Sequence, residues 1–517
     1  MTQELSERQA RRLFANARYL FDIACMAYDR TEGSLDSAPL LQKALHAATT
    51  VLLRVRGIMP GDYEQNAREA QRINADSKFL EGDIGARLVE LAELAVWEPG
   101  ADDGPAGRAR SERYGEIFRW SPDWMQTVAR CVRRRQGSSA PVFESDGWRV
   151  PLRAFLVTRV GLMLLVYLGL RFVPVSKPPW SAFPHNALLD GWVRWDAAWY
   201  YSVVVRGYDL LQSGNAPNVI FFPLYPVLSS IVSVPLSLFT TDDTAYYLAA
   251  LAISHLSFLF ALAGVHRLTT LLESRDVAHR ATWLVALFPF SYIFSAAYPE
   301  SLFLALCVWT FALAIENRWR WAGALASLAA VTQQPGLILA PALMLLYRRT
   351  PAKARPSAAS LLAIAAAAPL VLIAYFVRRY GDPVVFIHQY FAGWHGAWGL
   401  QHWEGVGRFF AGDPPLSQGL PHMWNLALVP ATLVVLVAVY RKYGAAFGVV
   451  STVPFLVAVA VTLGGYGRMI AVTFPLFVWL AWRLRARPAY LVVCGLFGLT
   501  QAMFACLFSH WGVTGGP

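Results

Sequence analysis

A single carboxylate among aromatic rings is the first place where this chain offers chemistry. Asp196 stands in Trp192-Val193-Arg194-Trp195-Asp196-Ala197-Ala198-Trp199-Tyr200, just after the first long apolar segment. A carboxylate near lipid costs free energy unless it has a polar partner, water or a task. Tryptophan and tyrosine rings suit the headgroup level, half wet and half dry. Two readings fit: a general base beside a lipid-borne substrate, with Trp195 and Tyr200 as neighbouring binding rings, or a solvated aspartate in an interfacial loop.

Other polar groups stand out against the same apolar background. Glu300, in Tyr298-Pro299-Glu300-Ser301, is a second site carboxylate or a residue that offsets a helix dipole at its N-terminus. Arg468 closes Gly464-Gly465-Tyr466-Gly467-Arg468. Its guanidinium is a fork of donors suited to a phosphate, and the plain alternative is an interfacial anchor. Gln333 and Gln334, in Thr332-Gln333-Gln334-Pro335-Gly336, contact a ligand or serve a helix break. His388, His395 and His402 share a loop with Trp394, Trp398 and Trp403, whose rings stack on sugars or lie in the headgroup belt. Three histidines seven apart are no metal motif, and Cys25, Cys131, Cys307, Cys494 and Cys506 show neither metal spacing nor an even framework. No metal and no cofactor is expected.

Composition explains the background. Of 517 residues 56% are hydrophobic and 15% charged, with mean hydropathy +0.38. Many apolar runs reach the length that crosses about 30 Å of hydrocarbon. The chain therefore reads as an all-α polytopic membrane bundle of roughly 9–11 segments, preceded by a soluble helical bundle. Residues 1–140 hold 20 Lys and Arg against 20 Asp and Glu, so the whole net charge of +11 belongs to the remainder. That excess orients helices and attracts the anionic headgroups of membrane lipids. No nucleic-acid partner is needed to explain it.

Before the membrane part, residues 1–97 read as a cytoplasmic helical bundle. Ser6-Glu7-Arg8-Gln9 has the form of a capping box, and Leu13, Ala17, Leu20, Phe21 and Ala24 repeat at helical spacing. Further helices are predicted near 40–56, 62–77 and 79–97. Residues 98–145 read as a linker, Glu98 to Pro105, and an amphipathic helix near 111–135 ending in Arg133-Arg134-Arg135. The bundle resembles HEPN helical domains, mainly in Leu52-Leu53-Arg54-Val55-Arg56-Gly57-Ile58-Met59-Pro60. The Arg-x4-His pair of its ribonuclease members is absent, since Leu41 stands five residues before His46. A docking or regulatory module with a cytoplasmic protein partner is therefore expected rather than a nuclease.

Residues 146–517 form the membrane domain. Segment one, near 152–173, begins with Arg149, Arg153 and Arg159, so it runs from inside to outside. Arg153 and Arg159 are expected to snorkel to the inner headgroups. The basic loops at 266–280 and 348–355 then fall inside only if 219–239 and 320–347 are broken or re-entrant. Segments are further predicted at 245–268, 281–297, 300–316, 358–380, 424–440, 446–463, 469–484 and 488–508, with outer loops at 174–218 and 381–423. This count places Asp196, Glu300, Gln333, Gln334, His388 and Arg468 together on the outer side.

In that order, Trp195-Asp196-Ala197 with Tyr200 and Arg206-Gly207-Tyr208, Phe221-Phe222-Pro223-Leu224-Tyr225-Pro226 and Tyr298-Pro299-Glu300-Ser301-Leu302-Phe303 resemble the PIG-V-type mannosyltransferases. Gly381 to His388, Arg468-Met469 and Phe474-Pro475-Leu476-Phe477 continue the likeness, which covers about 150–510. The resemblance implies a GT-C glycosyltransferase in the cell (plasma) membrane with an extracytoplasmic site. It also implies a polyprenyl or dolichyl phosphate sugar as donor and a glycolipid or glycan as acceptor. On that pattern Asp196 is the general base and Arg468 steadies the leaving phosphate. Many relatives read Thr-Arg-x-x-Gly where this chain has Thr332-Gln333-Gln334-Pro335-Gly336, which bears on the phosphate contact and the donor. A transporter or flippase for a lipid-linked sugar and an inactive membrane scaffold are the competing readings.

Overall fold

The computed structural model describes residues 38–55, 62–77, 84–95 and 112–117, then 145–173, 180–211, 216–348, 356–393, 416–461 and 465–511, with single positions between them. Among these the regular elements are all helical. The chain divides into two compact units, 1–142 and 143–517.

In the first unit, α1 (Ala38–Val55), α2 (Tyr63–Ser77) and α3 (Ile84–Ala95) form a small bundle. Leu41, Leu45, Ala48 and Leu52 recur every three or four residues, so they share one face. All four are buried, as are Leu88 and Leu91 of α3. Tyr114, Ile117 and Trp124 belong to the same core, and the Trp124 indole donates to Thr49 Oγ1 at 3.2 Å. The capping-box residues, the side chains from Arg54 to Met59, Glu98 to Pro105 and the Arg133 to Arg135 cluster lie outside the described residues.

The second unit opens with α4 (Ser145–Phe172). Two short helices follow inside the stretch expected as an outer loop, α5 (Ala187–Asp190) and α6 (Ala197–Arg206). Then come α7 (Leu224–Ser233), α8 (Asp242–Leu272), α9 (Arg275–Leu287), α10 (Glu300–Ile315), α11 (Trp319–Ala330) and α12 (Leu339–Arg348). The rest is α13 (Ala358–Tyr380), α14 (Val385–Gly393), α15 (Leu416–Tyr443), α16 (Ala445–Val461), α17 (Tyr466–Ala471), α18 (Phe474–Arg483) and α19 (Arg487–Ser509). Among the described residues, five helices are long and apolar enough to cross a membrane: α4, α8, α13, α15 and α19. Their outer faces carry bare hydrocarbon, with Leu156, Val160 and Leu164 of α4 and Leu491, Val492 and Leu496 of α19 all largely exposed. Faces of that kind are stable against lipid rather than water.

Between the long helices the chain breaks repeatedly. Segment 219–239 is the ten-residue α7 and a 3-10 turn at Leu236–Leu238, either side of Pro235. At about 15 Å, α7 is half the hydrocarbon thickness. Segment 320–347 is α11 and α12 joined through a 3-10 turn at Gln334–Ile338, as the Gln-Gln-Pro-Gly break predicts. Gly336 lies so close to the Ala329 carbonyl that any side chain there would collide with backbone.

Two further segments correct the sequence reading. Segment 281–297 stops as an α-helix at Leu287 and continues as a 3-10 turn, Ser291–Ser295. Segment 469–484 is two pieces, α17 and α18, parted before Pro475. Both breaks lie where a proline withholds the N–H that a continuing helix needs.

Broken backbone inside a membrane unit must find partners within the protein. Around the 288–295 break those partners are side chains. Arg159 is 2% exposed. Its Nη1 donates to the Ser291 carbonyl at 2.8 Å and to Ser295 Oγ at 3.1 Å, and its Nη2 donates to the Ala286 carbonyl at 3.1 Å. Gln501 Nε2 donates to the Ala286 and Phe288 carbonyls. Arg159 thus does not snorkel, because the freed carbonyls of the break offer it nearer acceptors than the headgroups do. Arg153 is exposed.

Removing the Arg159 head takes away its charged hydrogen bonds to the Ser291 and Ala286 carbonyls and Ser295 Oγ, of which the Ala286 carbonyl keeps a second donor, Gln501. Hydrogen bonds to charged groups contribute about 1.5–3 kcal/mol each. Arg159→Leu is expected to lower unfolding stability in detergent by about 3 kcal/mol or more, against less than about 1 kcal/mol for Arg153→Leu. Denaturant titration of the two variants checks this.

Candidate active site

The breaks carry the polar residues. Asp196 leads into α6, Glu300 begins α10, Gln333 sits in the α11–α12 break, and Arg468 lies on α17. Gly467 lets α17 pack close, since a side chain there would run into the Phe290 ring.

Arg468 joins the two carboxylates. Its Nη1 lies 2.8 Å from Asp196 Oδ2 and its Nε 3.4 Å from Glu300 Oε1. The side chains of Asp196 and Arg468 are 10% and 13% exposed, and that of Glu300 only 1%. The cluster is therefore nearly dry but open at the Asp196–Arg468 end. Neither Glu300 oxygen has a well-formed hydrogen bond among the described residues, and the Gln333 amide lies against this carboxylate. The charges of Asp196 and Glu300 on either side offset the cost of burying the Arg468 guanidinium. Two carboxylates around one guanidinium leave one negative charge uncompensated if all three are ionised. Such a group can accept a proton from a substrate hydroxyl.

Asp196 is aimed by what precedes it. Trp195 has φ +50°, a left-handed conformation that costs a bulky residue about 1–3 kcal/mol. The surroundings fix it. Arg194, 2% exposed, pairs with Asp190 at 2.7 Å and donates to the Ser509 carbonyl at 3.0 Å. Asp190 in turn accepts from Ser181 Oγ and the Phe183 amide. The Asp196 N–H donates to the Tyr298 hydroxyl at 2.9 Å.

The other candidates divide. Tyr200 is buried and within electrostatic reach of Glu300, Asp196 and Arg468, packed edge-on against Phe221 and Tyr225. Trp195 turns its ring to Trp511 instead, 5.4 Å between centroids. Gln334 Nε2 donates to the Ile220 carbonyl at 2.7 Å, so its amide serves the break. His388 is largely exposed and its Nδ1 lies 2.7 Å from Asp382 Oδ2. The Val384 amide lowers the Asp382 carboxyl below its usual range, and His388 adds to that shift. His395, His402 and the three loop tryptophans lie outside the described residues.

Two tyrosines escape the sequence reading. Tyr298 is visible there only as part of a motif, although a buried tyrosine normally carries its hydroxyl to a partner. Tyr390, on α14, is within electrostatic reach of Arg468 and Asp196. No local pattern marks it, because α14 falls in a stretch that reads as loop. Gln389 Oε1 accepts the Leu211 N–H at 2.6 Å and so ties α14 to the loop after α6.

An apolar groove of about 590 Å³ is lined among others by Tyr208, Leu224, Val227, Val331 and Val371. Val331 is two residues from Gln333, and its carbonyl accepts the Leu224 N–H at 3.0 Å. Val227 and Val371 are exposed at its outer side.

Residues 222–463 match the model of glycosyltransferase family 87. The match and the apolar helices together support a membrane glycosyltransferase. The matched stretch is just under half the chain. It contains Tyr298, Glu300 and Gln333, with Asp196 upstream of it and Arg468 five residues beyond. No curated protein sequence matches the chain.

Charge pairing gives the cluster of this glycosyltransferase a thermodynamic signature. Arg468→Met strands two buried carboxylates and is expected to cost about 3–5 kcal/mol. The double variant Arg468→Met/Glu300→Gln should recover at least about 1 kcal/mol of that. Denaturant titration of the single and double variants measures the coupling.

Proposed function

We propose that the chain transfers a hexose, mannose in the first instance, from a polyprenyl or dolichyl phosphate sugar to an acceptor hydroxyl at the extracytoplasmic face of the cell membrane. The observation that carries this reading is the cluster of Asp196, Arg468 and Glu300, nearly dry and open at one end; the apolar groove, whose Val331 is two residues from Gln333, supports it. The likeness to PIG-V-type mannosyltransferases supports mannose. The charge of the basic loops supports the orientation, with the N-terminal bundle in the cytoplasm as a docking module.

In this scheme the acceptor oxygen attacks the anomeric carbon, and the bond from that carbon to the phosphate oxygen breaks. Asp196 accepts the hydroxyl proton, and the lipid phosphate departs with the bonding pair. A phosphate leaving group needs charge stabilisation more than a proton, and Arg468 is placed to give it. Glu300 lies behind Arg468 and holds the guanidinium at the carboxylate end of the site. Gln333 takes the place of the arginine that many PIG-V-type relatives carry, and Arg468 is the cation this scheme assigns to the phosphate. The prenyl chain lies in the apolar groove, entering past Val227 and Val371.

Transfer of labelled mannose from a polyprenyl phosphate by purified protein tests the activity. Asp196→Asn keeps the shape and is expected to reduce kcat by roughly 10²–10⁴; undiminished transfer would remove Asp196 as the base. Other sugars on the same lipid phosphate fix the donor.

The groove has its own test. Val227→Trp fills it and is expected to raise KM about tenfold for a long-chain donor, with little effect on a donor whose chain is too short to reach it. Equal effects on both donors would place the chain elsewhere.

A further inference from the structure

Tyr298 joins the two halves of the site. Its hydroxyl accepts the Asp196 N–H at 2.9 Å and donates to the Arg194 carbonyl at 3.2 Å. One phenol thus spans the left-handed Trp195, bonded to the residue on either side. Its ring also lies beneath the Arg468 guanidinium, with Cζ 5.2 Å from the ring centroid, inside the range of a cation–π contact. The residue is fully buried.

A tyrosine kept only for packing needs one partner for its hydroxyl, and any nearby carbonyl would serve. This one takes both bonds from the strained turn that leads into Asp196 and gives its face to the cation that pairs with Asp196. We infer that Tyr298 is a positioning residue with two separable duties: its hydroxyl sets the direction of the Asp196 carboxylate, and its ring sets the place of Arg468. The inference rests on the transferase reading. It divides the kinetics, because the hydroxyl acts on proton removal during the reaction and the ring acts on the group that meets the donor phosphate.

Tyr298→Phe keeps the ring and removes the two hydrogen bonds. Its kcat is expected to fall at least about tenfold while KM for the lipid phosphate sugar stays within about twofold. Tyr298→Leu removes the ring as well, and its donor KM is expected to rise a further fivefold or about that. Wild-type kcat in Tyr298→Phe, or a KM increase in that variant as large as its loss of kcat, overturns the inference and leaves the transferase reading standing. A wild type that transfers no sugar from any polyprenyl phosphate donor defeats both together. Should Tyr298→Leu not be recovered folded, the phenylalanine variant decides alone.

Discussion

One guanidinium between two carboxylates holds this membrane unit's polar centre together. Asp196, Glu300 and Arg468 come from three distant stretches of chain, and none could be buried alone without a large desolvation cost. Paired at 2.8 and 3.4 Å, they can occupy a nearly dry site. Asymmetry between the contacts matters as much as their existence. Asp196 has the close contact and some exposure, whereas Glu300 is sealed in at longer range. The outer carboxylate is the more accessible of the two, and the inner one faces the arginine from behind.

The pairing is possible because the helices around it do not run through. Continuous helices would keep their backbone groups to themselves and turn side chains outward at regular intervals. Breaks at 288–299, 331–338 and 472–474 let short segments point their ends at a common place, and the exposed carbonyls are then met from neighbouring helices. Arg159 and Gln501 do this for the first break, and Gln334 ties the second to Ile220. The same polar side chains that look like candidates for chemistry are thus divided between the charged cluster and the supports of the broken backbone.

That division marks the limit of what the sequence can say. Length and hydropathy reveal the long spans, and proline and glycine punctuation reveals the breaks at 219–239 and 320–347, because both signals are local. Asp196, Glu300 and Arg468 stand out because charge in an apolar setting is costly wherever it folds. Their partnership is not legible, since it depends on how helices far apart in the chain pack. For the same reason Arg159 reads as a headgroup anchor, Gln334 as either a ligand contact or a helix-break residue, and Tyr298 as one more aromatic ring. His388 shows the converse: a conspicuous residue type whose partner, Asp382, is six residues away and accounts for it locally.

The central claim is that a lipid phosphate sugar binds with its anomeric carbon facing Asp196 and its phosphate at Arg468. A structure of the protein with a non-reactive polyprenyl phosphate sugar analogue, solved in lipid, tests it most directly. The account predicts the phosphate within hydrogen-bond reach of Arg468, the sugar ring between it and the Asp196 carboxylate, and the prenyl chain along Val227 and Val371. A phosphate seated away from Arg468, or a sugar ring that Asp196 cannot approach, would contradict it.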